Sequence, residues 1–424
     1  MKSGVRLKLS TCSICVQNHA KISHSSHISR FIAIARVSVI DAQEATTTPD
    51  AGWPVEERCV SAPTKPPKGW SYDGTILMTG YAGIHGVNAK WDTPHILVFL
   101  GDNDLWGGAL SPDGKWYASP YGHIEVTETY SSFSVIDQVR VFDTTGHSKP
   151  YRVDFGGLFY GTGYGQIYWQ NNEHFLYSQS IVPSQVMINP FTSQIDIWDK
   201  LDPNYDTYDV RLRFAPDWSR VVYDHHNLDY TYQLVLRDIR QLTDTQELPI
   251  RDPIIWKPDS TSFIADVSNN ANQGMVKPDE KLALFDRNGN LIDTVFLVPK
   301  GQQIGRLNTG WSSDGRYFVF ITFPYEVYGG MYHLADYGYE NTLYILDTQE
   351  HQVINTCLKS GIGFAWSPQN HQLAFLESGD GLQNVFILDV DNSKLHSVSK
   401  HKFTYLDTGN VLRSSRGVIG WRAD

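Results

Sequence analysis

Short apolar segments rich in Val, Ile, Tyr and Phe recur along the chain beyond about residue 70, with 221–223 and 318–321 as clear examples. They follow the two-residue period of strands, whereas helical repeats would show a 3.6-residue period. The 34 Gly and 20 Pro residues supply frequent turns between these segments. The pattern therefore predicts an all-β protein.

The strand segments belong to a repeat in which an aromatic or apolar anchor precedes a turn. Clear copies are 110–114 (Leu-Ser-Pro-Asp-Gly) and 311–315 (Trp-Ser-Ser-Asp-Gly). In such a turn Pro presets φ near about −65°, Asp bonds the local backbone, and Gly accepts the left-handed conformation that closes a hairpin. The anchors lie at residues 110, 169, 214, 256, 311, 366 and 421.

A second hairpin follows the first in each repeat, and its first strand often ends in Asp, as in 139–143, 282–286 and 343–347. Two hairpins make a four-stranded antiparallel sheet, which cannot bury both of its faces alone. Stacking such sheets radially buries both faces. The repeat therefore predicts a β-propeller of four-stranded antiparallel blades.

The C-terminal segment 417–421 indicates the number of blades. It has the character of an innermost strand, and partner strands for it are available at 76–80 and 95–100. We expect seven blades, with the ring closed by pairing of the C-terminal strand with the N-terminal strands. Six blades is the alternative, since no fourth strand for the shared blade is identified in 101–106.

The Trp/Phe-Ser-Pro-Asp-Gly-Lys/Arg core of the repeat, followed by an apolar strand, resembles the repeats of TolB-type, WD-repeat-like bacterial β-propellers. The resemblance covers about residues 70–424 and departs from the family at 169–173, which lacks the Pro-Asp-Gly turn. It implies a propeller fold and export. The N-terminal arm is too short for the separate α/β domain of TolB itself.

Composition narrows the choice of partners. The 424 residues are 41% hydrophobic and 13% aromatic, which excludes disorder over most of the length. Only 19% are charged, as expected for blades buried against their neighbours. The net charge of −11 and the lack of a basic stripe argue against nucleic-acid binding.

Charge also divides the chain. Residues 1–40 contain six Lys or Arg and no Asp or Glu, which leaves −17 for the rest. The short apolar run at 31–40 resembles that of a secretory signal peptide and is too short for a transmembrane segment. We therefore predict a leader at 1–45, a Thr/Pro-rich linker arm at 46–69 and the propeller at 70–424. A mitochondrial-type presequence and a plain disordered tail are the alternatives for the leader.

The leader and the family resemblance predict an extracytoplasmic protein, secreted or located in the periplasm or cell envelope, and the cysteines are interpreted in that setting. Cys12 and Cys15, with three histidines downstream, are zinc-ligand types, but no second Cys pair accompanies them, and they fall in the leader. A mature chain would keep Cys59 and Cys357, which would tie the arm to the body if they pair. The sequence leaves that pairing open, because the separation of their Cα atoms is unknown.

Strand alternation indicates where a partner would bind. If the Ser-Pro-Asp-Gly turns lie on one face, the second-to-third connections lie on the other. We predict these connections at 84–94, 122–137, 224–232, 268–281 and 324–341, longer than the two to five residues of a tight hairpin. The candidate ligand-binding residues, chiefly Tyr, Trp and His, are His85, Trp91, His123, Tyr130, His225, Tyr230, Tyr232, Tyr325, Tyr328, Tyr332, His333, Tyr337 and Tyr339.

Tyr and Trp offer large, rigid contact area with a polar tip, which suits a protein, peptide or glycan partner. The alternative is that these loops pack on one another and cap the central channel. The histidines among them are interpreted as scattered surface residues.

Metal chemistry has one candidate in the sequence. Asp202, Asn204 and Asp206 have the spacing of a calcium loop, but Thr207 occupies the expected Gly position and Arg213 the expected Glu position. We therefore predict no cofactor and no metal site, with calcium here as the alternative.

Enzyme motifs are absent from the sequence: it contains no Gly-x-Ser-x-Gly elbow, no His-Glu-x-x-His and no P-loop. The expectation is an exported, non-enzymatic, monomeric propeller that binds a protein, peptide or glycan through its Tyr-rich loop face. The alternative is a lactonase- or lyase-like propeller enzyme with a metal in the central channel.

Overall fold

The computed structural model describes most of the chain after residue 51. The described ranges are 52–80, 83–91, 93–100, 108–126, 132–161, 166–178, 185–201, 212–226, 232–242, 245–248, 250–267, 280–305, 310–324, 341–359, 361–377, 381–403 and 418–424. They contain 29 strands and no helix. Within these ranges nothing has the length and apolar character of a membrane-crossing helix. The predicted leader lies outside the described residues.

The strands form seven sheets, each with four antiparallel strands, and we number these sheets as blades 1 to 7. The strands of each blade are given from inner to outer. Blade 1 consists of β29 (Val418–Arg422), β2 (Thr75–Gly80), β3 (Gly83–Val87) and β4 (His95–Phe99), and blade 2 of β5 (Ala109–Leu110), β6 (Trp116–Val126), β7 (Ser132–Asp143) and β8 (Tyr151–Gly161). Blade 3 consists of β9 (Gln166–Trp169), β10 (Phe175–Ser178), β11 (Gln185–Asn189) and β12 (Gln194–Trp198), and blade 4 of β13 (Leu212–Phe214), β14 (Arg220–His226), β15 (Tyr232–Asp238) and β16 (Thr245–Leu248). Blade 5 consists of β17 (Arg251–Trp256), β18 (Ser262–Val267), β19 (Lys281–Asp286) and β20 (Leu291–Leu297). Blade 6 consists of β21 (Gln302–Ile304), β22 (Tyr317–Pro324), β23 (Thr342–Asp347) and β24 (Gln352–Lys359), and β1 (Val55–Glu57) lies outside β24. Blade 7 consists of β25 (Gly361–Trp366), β26 (Gln372–Glu377), β27 (Gly381–Asp389) and β28 (Lys394–Phe403).

Seven buried apolar clusters join the blades into a ring, and each cluster combines residues of two neighbouring blades. Strand β22 illustrates the rule: Phe318 and Phe320 pack with blade 5, and Val319 and Ile321 pack with blade 7. Successive side chains of a strand point to opposite faces, so both sets are buried. This explains the nearly continuous apolar segments. The predicted all-β, seven-bladed fold is confirmed, and the six-bladed alternative is excluded.

The ring closes in blade 1 as predicted, because β29 pairs antiparallel with β2. The fourth strand of blade 1 does not come from 101–106, where the sequence shows none. It is β3, which lies between β2 and β4. Two glycines and a histidine in its sequence, Gly83-Ile84-His85-Gly86-Val87, hide its strand character.

The Ser-Pro-Asp-Gly turns have the predicted geometry. In blade 2, Asp113 Oδ1 accepts hydrogen bonds from the Ser111 hydroxyl (2.6 Å) and the Lys115 backbone N–H (3.0 Å). Gly114 has a φ of 70°. The turn is thus fixed by its own side chains and by the left-handed residue that glycine accommodates.

The aromatic anchors connect the inner strands of neighbouring blades. Four indole N–H groups donate to a backbone carbonyl of the preceding blade, at 2.9 to 3.1 Å. The pairs are Trp169 with Ala109, Trp256 with Arg213, Trp311 with Ile255, and Trp366 with Gly310. Tryptophan is thus used at these positions for its donor as well as for its apolar area.

The N-terminal arm runs along the outer strands of blades 5, 6 and 7. The Trp53 indole donates to Asp293 Oδ2 at 2.6 Å on β20, β1 pairs parallel with β24, and Thr64 bridges to β28. A disulfide joins Cys59 to Cys357, whose Cα atoms are 4.8 Å apart. The pairing that the sequence left open is therefore present in the structure.

Candidate functional site

The strand registers define two faces of the ring. The first-to-second and third-to-fourth strand turns lie on one face, here called the turn face, which includes 111–115 and 190–193. The second-to-third connections and the links between blades start from the opposite face of the ring, here called the connection face. This face includes the ends of β22 and β23 at Pro324 and Thr342.

Most predicted binding residues belong to segments outside the described residues. These are Tyr130, Tyr230, Tyr325, Tyr328, Tyr332, His333, Tyr337 and Tyr339, together with the calcium candidates Asp202, Asn204 and Asp206. His123, His225 and Tyr232 lie on strands β6, β14 and β15. Backbone register places Tyr232 opposite His226, at the end of its hairpin on the connection face.

Some of the predicted connections are shorter than the sequence indicated. The interpretation of 84–94 as a second-to-third connection is wrong, because it contains most of β3. Trp91 consequently lies in the third-to-fourth turn, on the turn face, where its ring contacts His95 at 4.7 Å between centroids. His85 is half-buried within β3, opposite Met78. The segment 122–137 is also mostly strand, since β6 and β7 extend through it.

The turn face contains a cleft of about 480 Å³ between blades 2 and 3. Its lining comes from the first turn of blade 2 and from both turns of blade 3. The lining residues are Asp113, Lys115, Trp116, Asn172, Glu173, Asn189, Phe191 and Thr192. The cleft could not be predicted from the sequence, because its walls come from separate turns of two blades.

Three aromatic rings pack together at this cleft, and two of them, Trp116 and Phe191, line it. Trp116, at the start of β6, contacts Phe191 (5.1 Å between centroids) and Tyr151 (5.6 Å), and Tyr151 contacts Phe191 (5.0 Å). The ring pairs are edge-to-face, a favourable arrangement for aromatic side chains. Tyr151 is 38% exposed, and Trp116 and Phe191 are half-buried.

Asparagine side chains hold the two turns of blade 3. Asn171 Oδ1 accepts the backbone N–H groups of Glu173 and His174, both at 2.8 Å. It thereby replaces the Asp of the missing Pro-Asp-Gly turn. Asn189 Oδ1 accepts the N–H of Phe191 at 3.0 Å and fixes the turn that carries this ring. Side-chain acceptors of this kind are typical of tight turns.

Polar groups of the cleft retain unused hydrogen-bonding capacity. The Asn172 amide oxygen accepts the Asp113 backbone N–H at 3.2 Å across the blade boundary. Among the described residues, the Asn172 amide N–H₂, the Trp116 indole N–H and the Glu173 carboxylate make no hydrogen bond. The Lys115 ammonium lies 5.4 Å from the Trp116 ring centroid. Both donors and acceptors therefore belong to residues that line this space.

A second polar cluster on the turn face joins blades 6 and 7. His371 Nε2 lies 2.9 Å from Asp314 Oδ2, and His371 Nδ1 lies 2.9 Å from Asp391 Oδ2. The Tyr317 hydroxyl donates to Asp391 at 3.0 Å. Because the groups of this cluster bond one another across the interface, it ties the two blades together.

The cluster changes the acidity of its members. Partial burial alone would lower the pKa of His371, but its hydrogen bonds to Asp314 and Asp391 raise it above the ordinary value. Burial would raise the pKa of Asp314, but hydrogen bonds from Ser312 and His371 lower it to about 2. Within the described ranges, no group of three or more His, Cys, Asp or Glu side chains is placed to hold a metal ion.

The strand order and the seven interfaces define a seven-bladed β-propeller, which is the fold that the resemblance to TolB-type propellers implies. No family model and no curated protein sequence matches the chain. Solved structures similar to it include TolB from Acinetobacter baumannii, with 11% identity, a TM-score of 0.42, and coverage of 82% of each chain.

Two further similar structures belong to enzymes. An oligogalacturonate lyase in complex with manganese has 11% identity and a TM-score of 0.45, over 80% of this chain and 86% of that chain. The β-propeller domain of the Trilobed protease from Pyrococcus furiosus has 11% identity and a TM-score of 0.44, over 70% and 85%. At these identities the likeness concerns the fold alone.

Proposed function

We propose that the protein is an extracytoplasmic, non-enzymatic and monomeric binding module that holds a protein, peptide or glycan on its connection face. The observation that carries this proposal is the pair of long second-to-third connections of blades 5 and 6, at 268–280 and 325–341. Both leave from the same face of the ring, and the second contains Tyr325, Tyr328 and Tyr332.

The length of these connections favours a role beyond joining strands. The corresponding connection of blade 1 needs only residues 81–82. Long loops in compact domains are commonly functional, and binding residues are concentrated on loops that a rigid scaffold positions. The ring supplies that scaffold through its buried interfaces.

The disulfide supports the proposed location. Cys59 and Cys357 are joined, and disulfides form and persist in oxidising compartments outside the cytosol. This agrees with the export that the basic N-terminal segment and its short apolar run predict.

Combined replacement of Tyr325, Tyr328 and Tyr332 by alanine tests the proposal. Ligands would be selected on the wild-type protein from a random-peptide display library and from a panel of soluble oligosaccharides, and their affinities measured by calorimetry. We expect the triple variant to bind the selected ligand at least about tenfold more weakly, because aromatic anchors dominate binding energy. Its thermal midpoint should remain that of the wild type.

Leu291→Ala is the control, since it removes an exposed apolar side chain at the turn-face end of blade 5. It should leave binding to the connection face unchanged. A loss of thermal stability in the triple variant equal to its loss of binding would favour the capping role and contradict the proposal. Stoichiometric calcium or zinc in the purified protein would favour the propeller-enzyme alternative.

A further inference from the structure

We infer that the cleft between blades 2 and 3 on the turn face is a second binding site, and that its ligand is a neutral oligosaccharide. The site lies on the face opposite to the one of the proposed function and does not depend on it. Its main elements are Trp116, Phe191, Asn172 and Glu173.

The size and shape of the cleft suit a ligand of a few sugar rings. Its volume of about 480 Å³ lies within the range of about 300 to 1,000 Å³ usual for small-molecule sites. The partly exposed rings of Trp116 and Phe191 offer flat apolar surfaces, against which the C–H groups of a pyranose ring can pack. Polar side chains surround these rings, so the apolar and polar faces of a sugar both have a counterpart.

The unused hydrogen-bonding groups identify the ligand chemistry. The Trp116 indole N–H and the Asn172 amide N–H₂ are donors, and the Glu173 carboxylate is an acceptor only. A sugar hydroxyl both donates and accepts, so it matches either kind of group. Ammonium and guanidinium groups only donate, and they would leave the indole and amide donors without acceptors.

Charge argues against an anionic ligand, and the contact of Lys115 with Trp116 argues against a cationic one. The cleft contains two acids, Asp113 and Glu173, and one cation, Lys115. Lys115 also attracts Asp143. Burial would raise the pKa of Asp143, but hydrogen bonds and the charge of Lys115 lower it. An anionic ligand would therefore meet net negative charge. A cationic ligand would have to displace Lys115 from Trp116, where it already lies 5.4 Å from the ring centroid.

The cleft is also held in shape before any ligand arrives. Asn171 and Asn189 fix the two turns of blade 3, and the Asn172 side chain bonds the blade 2 turn at Asp113. Groups that are ordered in advance lose less conformational entropy on binding. The cleft can therefore bind without a rearrangement of the blades.

Calorimetric titration of the full chain with cellotetraose, chitotetraose and mannotetraose tests the inference. We expect saturable binding of at least one of them, weakened about tenfold or more by Glu173→Ala and by Trp116→Phe. The Trp116 change keeps an aromatic ring against Tyr151 and Phe191 while removing the indole N–H. Glu350→Ala is the matched control, because Glu350 is an exposed glutamate in a turn-face turn of blade 6, and it should leave the affinity unchanged.

Thermal midpoints of all variants separate a loss of the site from a loss of folding. If Trp116→Phe is destabilised, the exposed Glu173→Ala decides the result. Binding of none of the three sugars, or an affinity that both variants leave unchanged, would overturn the inference. Preferential binding of an arginine-rich peptide in the cleft would overturn it as well. Sugar binding lost only in the triple tyrosine variant would support the proposed function and contradict this second site.

Discussion

At the scale of single residues, His371 is the group whose chemistry depends most on the assembled ring. It lies between Asp314 of blade 6 and Asp391 of its own blade, with a nitrogen 2.9 Å from each carboxylate. Neutral imidazole has one N–H and can donate to only one of them, whereas the protonated ring donates to both. The interblade contact is therefore complete only when His371 is charged.

This arrangement predicts a pH-dependent stability. Because the pKa of His371 is raised in the folded state, its contribution is fully present below the ordinary value of about 6.5 and is lost as pH rises through the folded pKa. The pKa of Asp314 is lowered to about 2, so its contribution is present above about 3.9 and is lost as pH falls towards 2. We expect His371→Gln to lower the free energy of unfolding by about 1 kcal/mol at pH 5 to 6, since the pairs are partly exposed and screened.

Urea unfolding at several pH values measures this effect. The difference between wild type and His371→Gln should shrink above pH 7 and with added salt. His147→Gln is the control, because His147 is exposed and its ring contacts the Thr145 hydroxyl. A difference for His371→Gln that does not change with pH would contradict the charged-bridge interpretation.

At the scale of strands, four tryptophan anchors at or near the inner strands reach the preceding blade. The Trp366 indole donates to the Gly310 carbonyl at 2.9 Å, and the same carbonyl accepts the Val319 N–H. Trp366 also packs in the apolar cluster between blades 6 and 7. One residue thus supplies both apolar burial and a directional bond at the interface of blades 6 and 7.

Trp366→Phe separates these two contributions. Phenylalanine keeps most of the aromatic area but has no N–H, and Gly310 keeps its other hydrogen bond. We expect the free energy of unfolding in urea to fall by about 1 to 2 kcal/mol, from one hydrogen bond and a small loss of volume. Trp218→Phe is the matched control, since Trp218 stacks on Phe214 at 4.0 Å within its own blade, and it should cost less. Equal costs for the two changes would show that the interblade bond adds nothing.

The strands that could be predicted from the sequence are those next to a recognisable turn or anchor residue. The turns at Asp113 and Asp314 are fixed by their own side chains, so their positions and the anchor spacing were visible in the residue pattern. Strand β3 was missed because its hydrogen bonds to β2 and β4, rather than its composition, make it a strand. The extended hairpin of β6 and β7 was missed for a similar reason, since its Ser, Pro and Gly residues are typical of loops.

The turn-face cleft had only a partial signal in the sequence. Trp116 follows a recognisable turn, and Phe191 follows Asn189-Pro190, which is a turn signal of its own. Nothing local connects the two, because their contact depends on how blade 3 docks on blade 2. Sites assembled between blades require the interface geometry, which periodicity alone does not contain.

At the scale of the whole molecule, the N-terminal arm covers edges that the ring leaves open. Outer strands of blades present unpaired backbone groups, which are a hazard for aggregation. Strand β1 pairs with β24, and Trp53 and Thr64 hold the arm to blades 5 and 7. The arm therefore spans three consecutive blades, the last of which, blade 7, packs against the blade that closes the ring.

The Cys59–Cys357 disulfide fixes this arm covalently and closes a loop across a sequence separation of 298 residues. A cross-link over so long a segment strongly restricts the unfolded chain, so we expect its loss in Cys59→Ser/Cys357→Ser to lower the free energy of unfolding by about 2 to 5 kcal/mol. The blades should stay folded, because their buried clusters do not include the disulfide. Limited proteolysis should then cut first within the arm near residues 58–68.

Reductant provides the control: it should reproduce the effect in the wild type and have none in the double-serine variant. A wild-type protein whose thermal midpoint and cleavage pattern are unchanged by full reduction would contradict this role of the arm.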